Sequence, residues 1–315
     1  MRPPLLEVKN LSRYFGRVKA LDGISFSLEE GQTLAIVGES GCGKTTAIRL
    51  LLALDRPTAG HVEMHGRDIA GFKGKDLRKF RSDVQAVFQD PWSSLNPRIR
   101  VRDLIAEPLR MNSDVTKAEA YKAVDKVLRD VGLLEAHAQS FAHEFSGGQR
   151  QRIAIASALI SKPKVIVLDE PVSALDGSVR AQIMNLLKDL QLEYGISFVL
   201  VAHDLGTAKY MADHVAVMYL GRVVEYGVAQ QVFAAPQHPY TLALMSAALP
   251  AHPRLQKKEI ILRGEVASPI DVPPGCHFHP RCQSFFGDIC ATQPPELLEV
   301  LQGHLAACHL CHGAT

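Results

Sequence analysis

Two hydrophobic patterns alternate along the chain. Short, nearly continuous apolar runs stand at Thr33 to Val37, Val165 to Leu168 and Phe198 to Val201. Their unbroken hydrophobicity predicts strands buried on both faces of a largely parallel sheet. The segments Leu5 to Val8, Ile24 to Leu28 and Val62 to His65 alternate instead, and predict a smaller antiparallel sheet. Helical spacing is clear in two places. Thr116 with Glu119 forms a capping box, and Ala120, Val124, Val127, Leu128 and Val131 then recur on one face until Gly132. Val179, Ile183, Leu186, Leu187 and Leu190 repeat that spacing until Gly195. There is no internal repeat and no low-complexity tract. Near Pro236 the composition shifts to proline, histidine and cysteine, which predicts an appended small domain.

Composition adds bounds to this picture. With 315 residues and 47% hydrophobic content the chain can bury a full core without disulfides. Its 35 basic and 33 acidic residues leave a net charge of +2, no electrostatic case for nucleic acid. The N-terminal Met-Arg-Pro-Pro-Leu-Leu-Glu lacks the apolar stretch of a signal peptide, and no run approaches the roughly 20 residues of a membrane span. The expectation is a cytosolic chain that meets any membrane through partners.

Gly38-Glu39-Ser40-Gly41-Cys42-Gly43-Lys44-Thr45-Thr46 follows a predicted strand and opens a predicted helix. Glycines there let successive backbone N–H groups turn inward on an anion, and a helix beginning near Lys44 adds its positive end. Lys44 is placed to reach the β- and γ-phosphates of a nucleotide, and Thr45 to put its hydroxyl on Mg²⁺. The bland alternative is a glycine turn with an incidental lysine. Cys42 reads as a small filler residue. A second element, Val165-Ile-Val-Leu-Asp-Glu170, ends an apolar strand in two carboxylates. Asp169 suits Mg²⁺ through a water, and Glu170 suits a general base on the attacking water.

Together with Phe145-Ser-Gly-Gly-Gln149, these motifs and their order resemble the ABC-type ATPases. The resemblance spans roughly residues 5 to 235. It implies an α/β P-loop NTPase (RecA-like) core, an antiparallel β-subdomain, an ABC helical subdomain at about 92–150, and a small Cys-rich C-terminal extension over 236–315. Ser146, Gly147, Gly148 and Gln149 match the signature motif, with Phe145 where Leu is common. Small residues at a helix N-terminus make a second anion site. One chain thus carries two phosphate-recognising elements, and the family's solution is a head-to-tail dimer with each ATP between the loop of one subunit and the Ser-Gly-Gly of the other. Gln89 matches the Q-loop glutamine that contacts Mg²⁺ and senses the membrane partner. Asp176, in Ser173-Ala-Leu-Asp176, matches the D-loop, and His203 the switch histidine at the γ-phosphate. Phe15 is assigned to stack on adenine, with Tyr14 as the alternative. Ser157 departs from the family, where Arg is common.

Val87 to Arg98, Ser178 to Gln182, the Pro236-Gln-His-Pro-Tyr-Thr241 stretch and Pro273 to Cys282 resemble the dipeptide, oligopeptide and nickel importer ATPases. This implies partners: a sister ATPase, two membrane-spanning permeases and an extracytoplasmic solute-binding protein, with the chain peripheral on the cytoplasmic face of the inner membrane. A permease helix is expected beside the Q-loop. The solute is a peptide on this resemblance, with nickel and glutathione left open.

Six cysteines are present, five of them near the C-terminus. Cys276, Cys282, Cys290 and Cys308 offer four soft ligands, and their spacing does not separate zinc from an iron–sulfur cluster. The family's extension resembles one that holds a [4Fe–4S] cluster, which implies that group, with zinc, disulfides or free thiols as the alternatives and Cys311 a spare thiol. Cys308-His-Leu-Cys-His312 also matches a haem-attachment string, but that chemistry requires export. Two other classes compete with a transport ATPase. A soluble ABC protein acting on ribosomes or DNA usually carries two cassettes or long coiled-coil insertions. A non-hydrolysing regulator would not need Glu170 and His203.

Overall fold

In the computed structural model the described residues are 3–90, 95–247, 260–262, 264, 265 and 267–312. Pro91 to Ser94, inside the predicted Q-loop stretch and at the start of the predicted helical segment, lie outside them, as do 248–259 of the extension. The chain forms two compact units. The first contains Met1–Leu28, Thr33–Gly66 and Val201–Thr315, and the second Glu29–Gln32 and Arg67–Leu200.

The first unit begins with two long strands, β1 (Leu6–Phe15) and β2 (Val18–Leu28). β1 pairs antiparallel with β2 on one side and with β4 (Ala59–Met64) on the other, as the alternation at both strands predicts. Register shifts at Leu11 and Arg13 interrupt that alternation, so only parts of β1 and β2 carry the pattern. β3 (Thr33–Val37) is buried along its whole length and pairs in parallel with β9 (His214–Tyr219). β9 then pairs antiparallel with β10 (Arg222–Val228). Next come β12 (His304–Ala306) and β11 (Leu298–Leu301), both antiparallel, an edge that the apolar runs did not predict on an otherwise largely parallel sheet. Helices α1 (Lys44–Leu51), α7 (Leu205–Met211), α8 (Ala229–Ala234), α9 (Pro239–Ala247) and α10 (Asp288–Thr292) complete the unit.

The second unit opens with the short β5 (Arg67–Asp68) and α2 (Gly74–Asp83). Its sheet places β7 (Val165–Asp169) between β6 (Val84–Val87) and β8 (Ser197–Ala202), with β6 and β7 parallel. The predicted capping box is present at α4 (Lys117–Asp130). The Thr116 N–H donates to Glu119 at 2.8 Å, and the Glu119 N–H to the Thr116 hydroxyl at 3.3 Å. That satisfies donors which the first turn of a helix otherwise leaves open. Gly132 follows with φ +73°, and Leu133 N–H closes back on the Leu128 carbonyl, the left-handed stop that the sequence marks. α4 packs with α3 (Val101–Asn112) and α5 (Gly147–Leu159). Ser157 on α5 donates to the Leu104 carbonyl of α3 at 3.3 Å, so a hydroxyl bonds locally where the family commonly has Arg. α6 (Gly177–Tyr194) buries Ile183, Leu187 and Leu190 as predicted and stops at Gly195, φ +65°.

Candidate nucleotide site

In the first unit the turn between β3 and α1 curls as its glycines predict. Gly38, Gly41 and Gly43 all have positive φ. The strictest of them is Gly38, where a Cβ would lie 2.2 Å from the Met218 carbonyl oxygen. No other residue type fits that approach. Lys44 is buried, and its ammonium donates to the carbonyls of Gly38 (2.7 Å) and Glu39 (3.0 Å). A third contact, to the Cys42 sulfur at 3.9 Å, is a weak one that a phosphate oxygen would outcompete. The loop is thus wrapped around its own lysine, which is the arrangement that presents one cation to a curled backbone. Thr45 is exposed at the helix start, and Thr46 half-buried. Cys42 is buried, and burial pushes its thiol up, consistent with a filler role.

Phe15 ends β1 with 46% of its surface exposed, and the Arg13 guanidinium sits 4.4 Å over its ring. Tyr14 is engaged elsewhere, since its hydroxyl donates to Asp22 at 2.6 Å. His203 is exposed just after β8, and the adjacent Asp204 caps α7 through the Gly206 and Thr207 amides.

In the second unit Asp169 and Glu170 stand at the end of β7, both half-buried. Glu170 adopts φ +46°, a left-handed conformation that costs a non-glycine residue about 1 kcal/mol or more. Its backbone carbonyl accepts from the Ser173 hydroxyl at 3.1 Å, and its carboxylate accepts the Gln89 side-chain amide at 2.9 Å. Two predicted catalytic residues, 81 positions apart, therefore meet directly. The strain lies in the Glu170 backbone, and the Gln89 amide fixes how its carboxylate is turned.

Ser146 caps α5. It accepts the Gln149 N–H at 3.4 Å, while Gln149 accepts the Ser146 N–H at 3.0 Å. Gly148 carries a second constraint that the sequence did not disclose. A Cβ there would be 2.6 Å from a Val179 methyl on α6, so close packing requires glycine. Asp176 is exposed at the start of α6.

The cysteine-rich end also folds into the first unit. Cys276, Cys282, Cys290 and Cys308 line one small cavity of about 20 Å³, with Phe278 and His309 among its walls. Burial pushes Cys276 up to about 11 and raises Cys282, and each feels the neighbouring thiols. Cys311 does not line the cavity. Its thiol meets the Gln237 carbonyl at 3.3 Å and also bonds to Cys308, which holds the Cys308 thiol below its ordinary value. The four thiols are thus neighbours, as the spacing suggested, and their donor chemistry suits a soft metal. Among the described residues, however, no three His, Cys, Asp or Glu side chains group closely enough to hold a metal ion. The expected cluster is represented by a thiol-lined cavity rather than by a formed metal site.

A family model for ABC transporters matches residues 21–173, and one for the oligopeptide/dipeptide transporter C-terminal region matches residues 224–290. The chain is 45% identical over 301 residues to the di/tripeptide transport ATP-binding protein DppF of Pseudomonas aeruginosa, covering 96% of this chain and 93% of that one. It is 45% identical over 318 residues to the dipeptide transport ATP-binding protein DppF of Escherichia coli, covering 98% and 95%. Against the oligopeptide transport ATP-binding protein AppF of Bacillus subtilis it is 44% identical over 320 residues, covering 97% of each. Among solved structures, CbiO1 of Clostridium perfringens, part of an ABC transporter complex, superposes with TM-score 0.67 at 32% identity over 73% of this chain and 91% of that one. A dimeric post-hydrolysis ATP-binding cassette, MJ0796 with ADP and Pi, does so with TM-score 0.63 at 29% identity over 71% and 98%. Among the described residues no helix is long and apolar enough to cross a membrane.

Proposed function

The chain belongs to the ATP-binding subunits of the dipeptide and oligopeptide ABC transporters, and from that membership we infer that it binds and hydrolyses ATP to power peptide import. The observation that carries the reading is the phosphate loop closed around Lys44. Lys44 and the loop amides bind the phosphates, with Thr45, Gln89 and Asp169 holding Mg²⁺. Glu170 takes a proton from the attacking water, and Gln89 orients its carboxylate. His203 donates to the γ-phosphate, and Phe15 supports the adenine. Ser146, Gly147, Gly148 and Gln149 of one cassette complete the pocket of the other, with Asp176 at their junction. The dimeric cassette bearing ADP and Pi supports that arrangement by likeness. ATP then acts as the link between cassettes, and hydrolysis releases it.

From the same membership we infer the partners, namely two permeases, a solute-binding protein and a sister cassette, with this chain peripheral on the cytoplasmic face of the membrane. Residues 1–235 form the ATPase part and 236–315 the extension. We assign Cys276, Cys282, Cys290 and Cys308 to a [4Fe–4S] cluster, with zinc as the alternative. The support is the shared cavity and the soft donor set. Such a group would supply cross-links to a segment that has little core of its own. Anaerobic purification with an absorption spectrum and iron and zinc analysis decides between them.

The transport reading is tested on the reconstituted assembly. Its ATP turnover rises with peptide-loaded binding protein and is lost with Lys44→Ala. Stimulation by nickel or glutathione and none by peptides would overturn the solute.

A further inference from the structure

The residue after Gly38 in the phosphate loop is gripped by the C-terminal extension. The Arg281 guanidinium holds the Glu39 carboxylate through two bonds, Nη1 to Oε2 at 2.7 Å and Nη2 to Oε1 at 3.1 Å. Its side chain is only 8% exposed, and the two residues are 242 positions apart. Parallel paired bonds of this kind fix orientation as well as charge. The grip has a second point. The Glu39 backbone N–H donates to the hydroxyl of Tyr240, on α9, at 2.9 Å, and Tyr240 is fully buried. Tyr240, Tyr219 and Phe278 pack as one aromatic cluster, with ring centroids 4.7 to 5.3 Å apart. Phe278 and Arg281 in turn share a tight turn, in which the Arg281 N–H bonds to the Phe278 carbonyl.

These contacts serve a loop that must hold a polyanion. Glu39 is a negative charge within that loop, and left unneutralised it would repel phosphate. Its backbone carbonyl is also one of the two that hold the Lys44 ammonium. We propose that Arg281, with Tyr240, is a positioning residue for the phosphate loop: it neutralises Glu39 and fixes the loop, so that nucleotide affinity depends on an extension that does not touch the nucleotide. This rests on the ATP-site reading above. The charge explains why an acidic residue is tolerated in an anion-binding loop, and the fork explains why arginine rather than lysine stands there. The extension is thereby made part of the ATP site through two side chains, Arg281 and Tyr240.

The test uses the assembled transporter and reads MgATP binding and steady-state ATP turnover. Arg281→Ala raises the KM and the Kd for MgATP about tenfold while kcat stays within about twofold. Arg281→Lys, which keeps the charge and loses the fork, gives about a threefold rise, and it is the deciding variant should Arg281→Ala fail to assemble. The discriminating result is rescue. Adding Glu39→Gln to Arg281→Ala removes the uncompensated charge and brings the KM back to within about threefold of wild type. A side chain that only packed the extension would give no such recovery. The proposal is overturned if the assembled Arg281 variants bind MgATP as wild type does, or if Glu39→Gln fails to restore affinity. Lys44→Ala run in parallel keeps the two ideas apart. Unchanged MgATP binding in that variant would sink the ATP-site reading itself.

Discussion

The side-chain amide of Gln89 donates to the carboxylate of Glu170 at 2.9 Å, joining the loop after β6 to the residue after β7. These two strands are parallel neighbours, with Val87 opposite Leu168, so both side chains leave the same end of the sheet. The contact fixes the orientation of a carboxylate carried on a strained backbone. On the proposed reading, Glu170→Gln removes the base and keeps the shape. It lowers ATP turnover at least about a hundredfold, the low end for loss of a general base, while MgATP still binds. Turnover near the wild-type rate in the assembled transporter would assign the base elsewhere.

Gly148 predicts a stability effect in a residue assigned to the nucleotide. Because a Cβ would press within 2.6 Å of Val179, Gly148→Ala costs about 1–3 kcal/mol. Val179→Ala in the same chain recovers part of it. Chemical denaturation of the two variants measures both, and equal stability of Gly148→Ala and wild type would contradict the packing account.

The buried pair Glu225 and His304 ties β10 to β12. Neither side chain is exposed, and they meet at 2.7 Å. Glu225 also accepts the Gln237 and His238 amides, at 2.7 and 3.0 Å. His304→Ala leaves a buried acceptor short of a partner and costs about 1–3 kcal/mol. A loss of stability below that range would show the pair to be dispensable.

Asp22 predicts a pH dependence. Burial raises its carboxyl, but the Tyr14 hydroxyl and the Arg222 guanidinium outweigh this and hold it below the usual range. Arg222 reaches it at 2.7 and 3.0 Å. A depressed native value means that the unfolded chain binds the proton more readily. Its contribution is therefore whole above the unfolded value of about 3.9 and is lost as pH falls through the lower native value. Asp22→Asn destabilises the protein at pH 7, and the gap from wild type narrows as pH falls below about 3.9. A gap that stays constant over that range would contradict the assignment.

Much of the site was legible in sequence because it is local. The strand, glycine turn and lysine run consecutively from Thr33 to Lys44, and the bonds that Lys44 makes to that loop span six residues or fewer. The capping box at Thr116 and the stops at Gly132 and Gly195 are equally local. What was illegible depends on distant partners. β12 has three residues, too few to display a period, and exists because Glu225, Tyr226 and Gly227 supply its ladder. The grip of Arg281 on Glu39 and the wall that Val179 raises against Gly148 leave no trace in spacing. The antiparallel end of the sheet was missed for the same reason. An apolar run such as Val215 to Tyr219 reads alike whichever way its neighbour points.

Each nucleotide pocket, on this reading, draws on two cassettes. The decisive experiment disables both halves in this chain alone, Lys44→Ala with Ser146→Glu, and follows ATP turnover in the assembly with an untouched partner cassette. Shared pockets predict that turnover is abolished, because the partner's intact phosphate loop lacks its opposing Ser-Gly-Gly. If about half the wild-type rate persists, each cassette hydrolyses ATP by itself and the shared pocket does not exist.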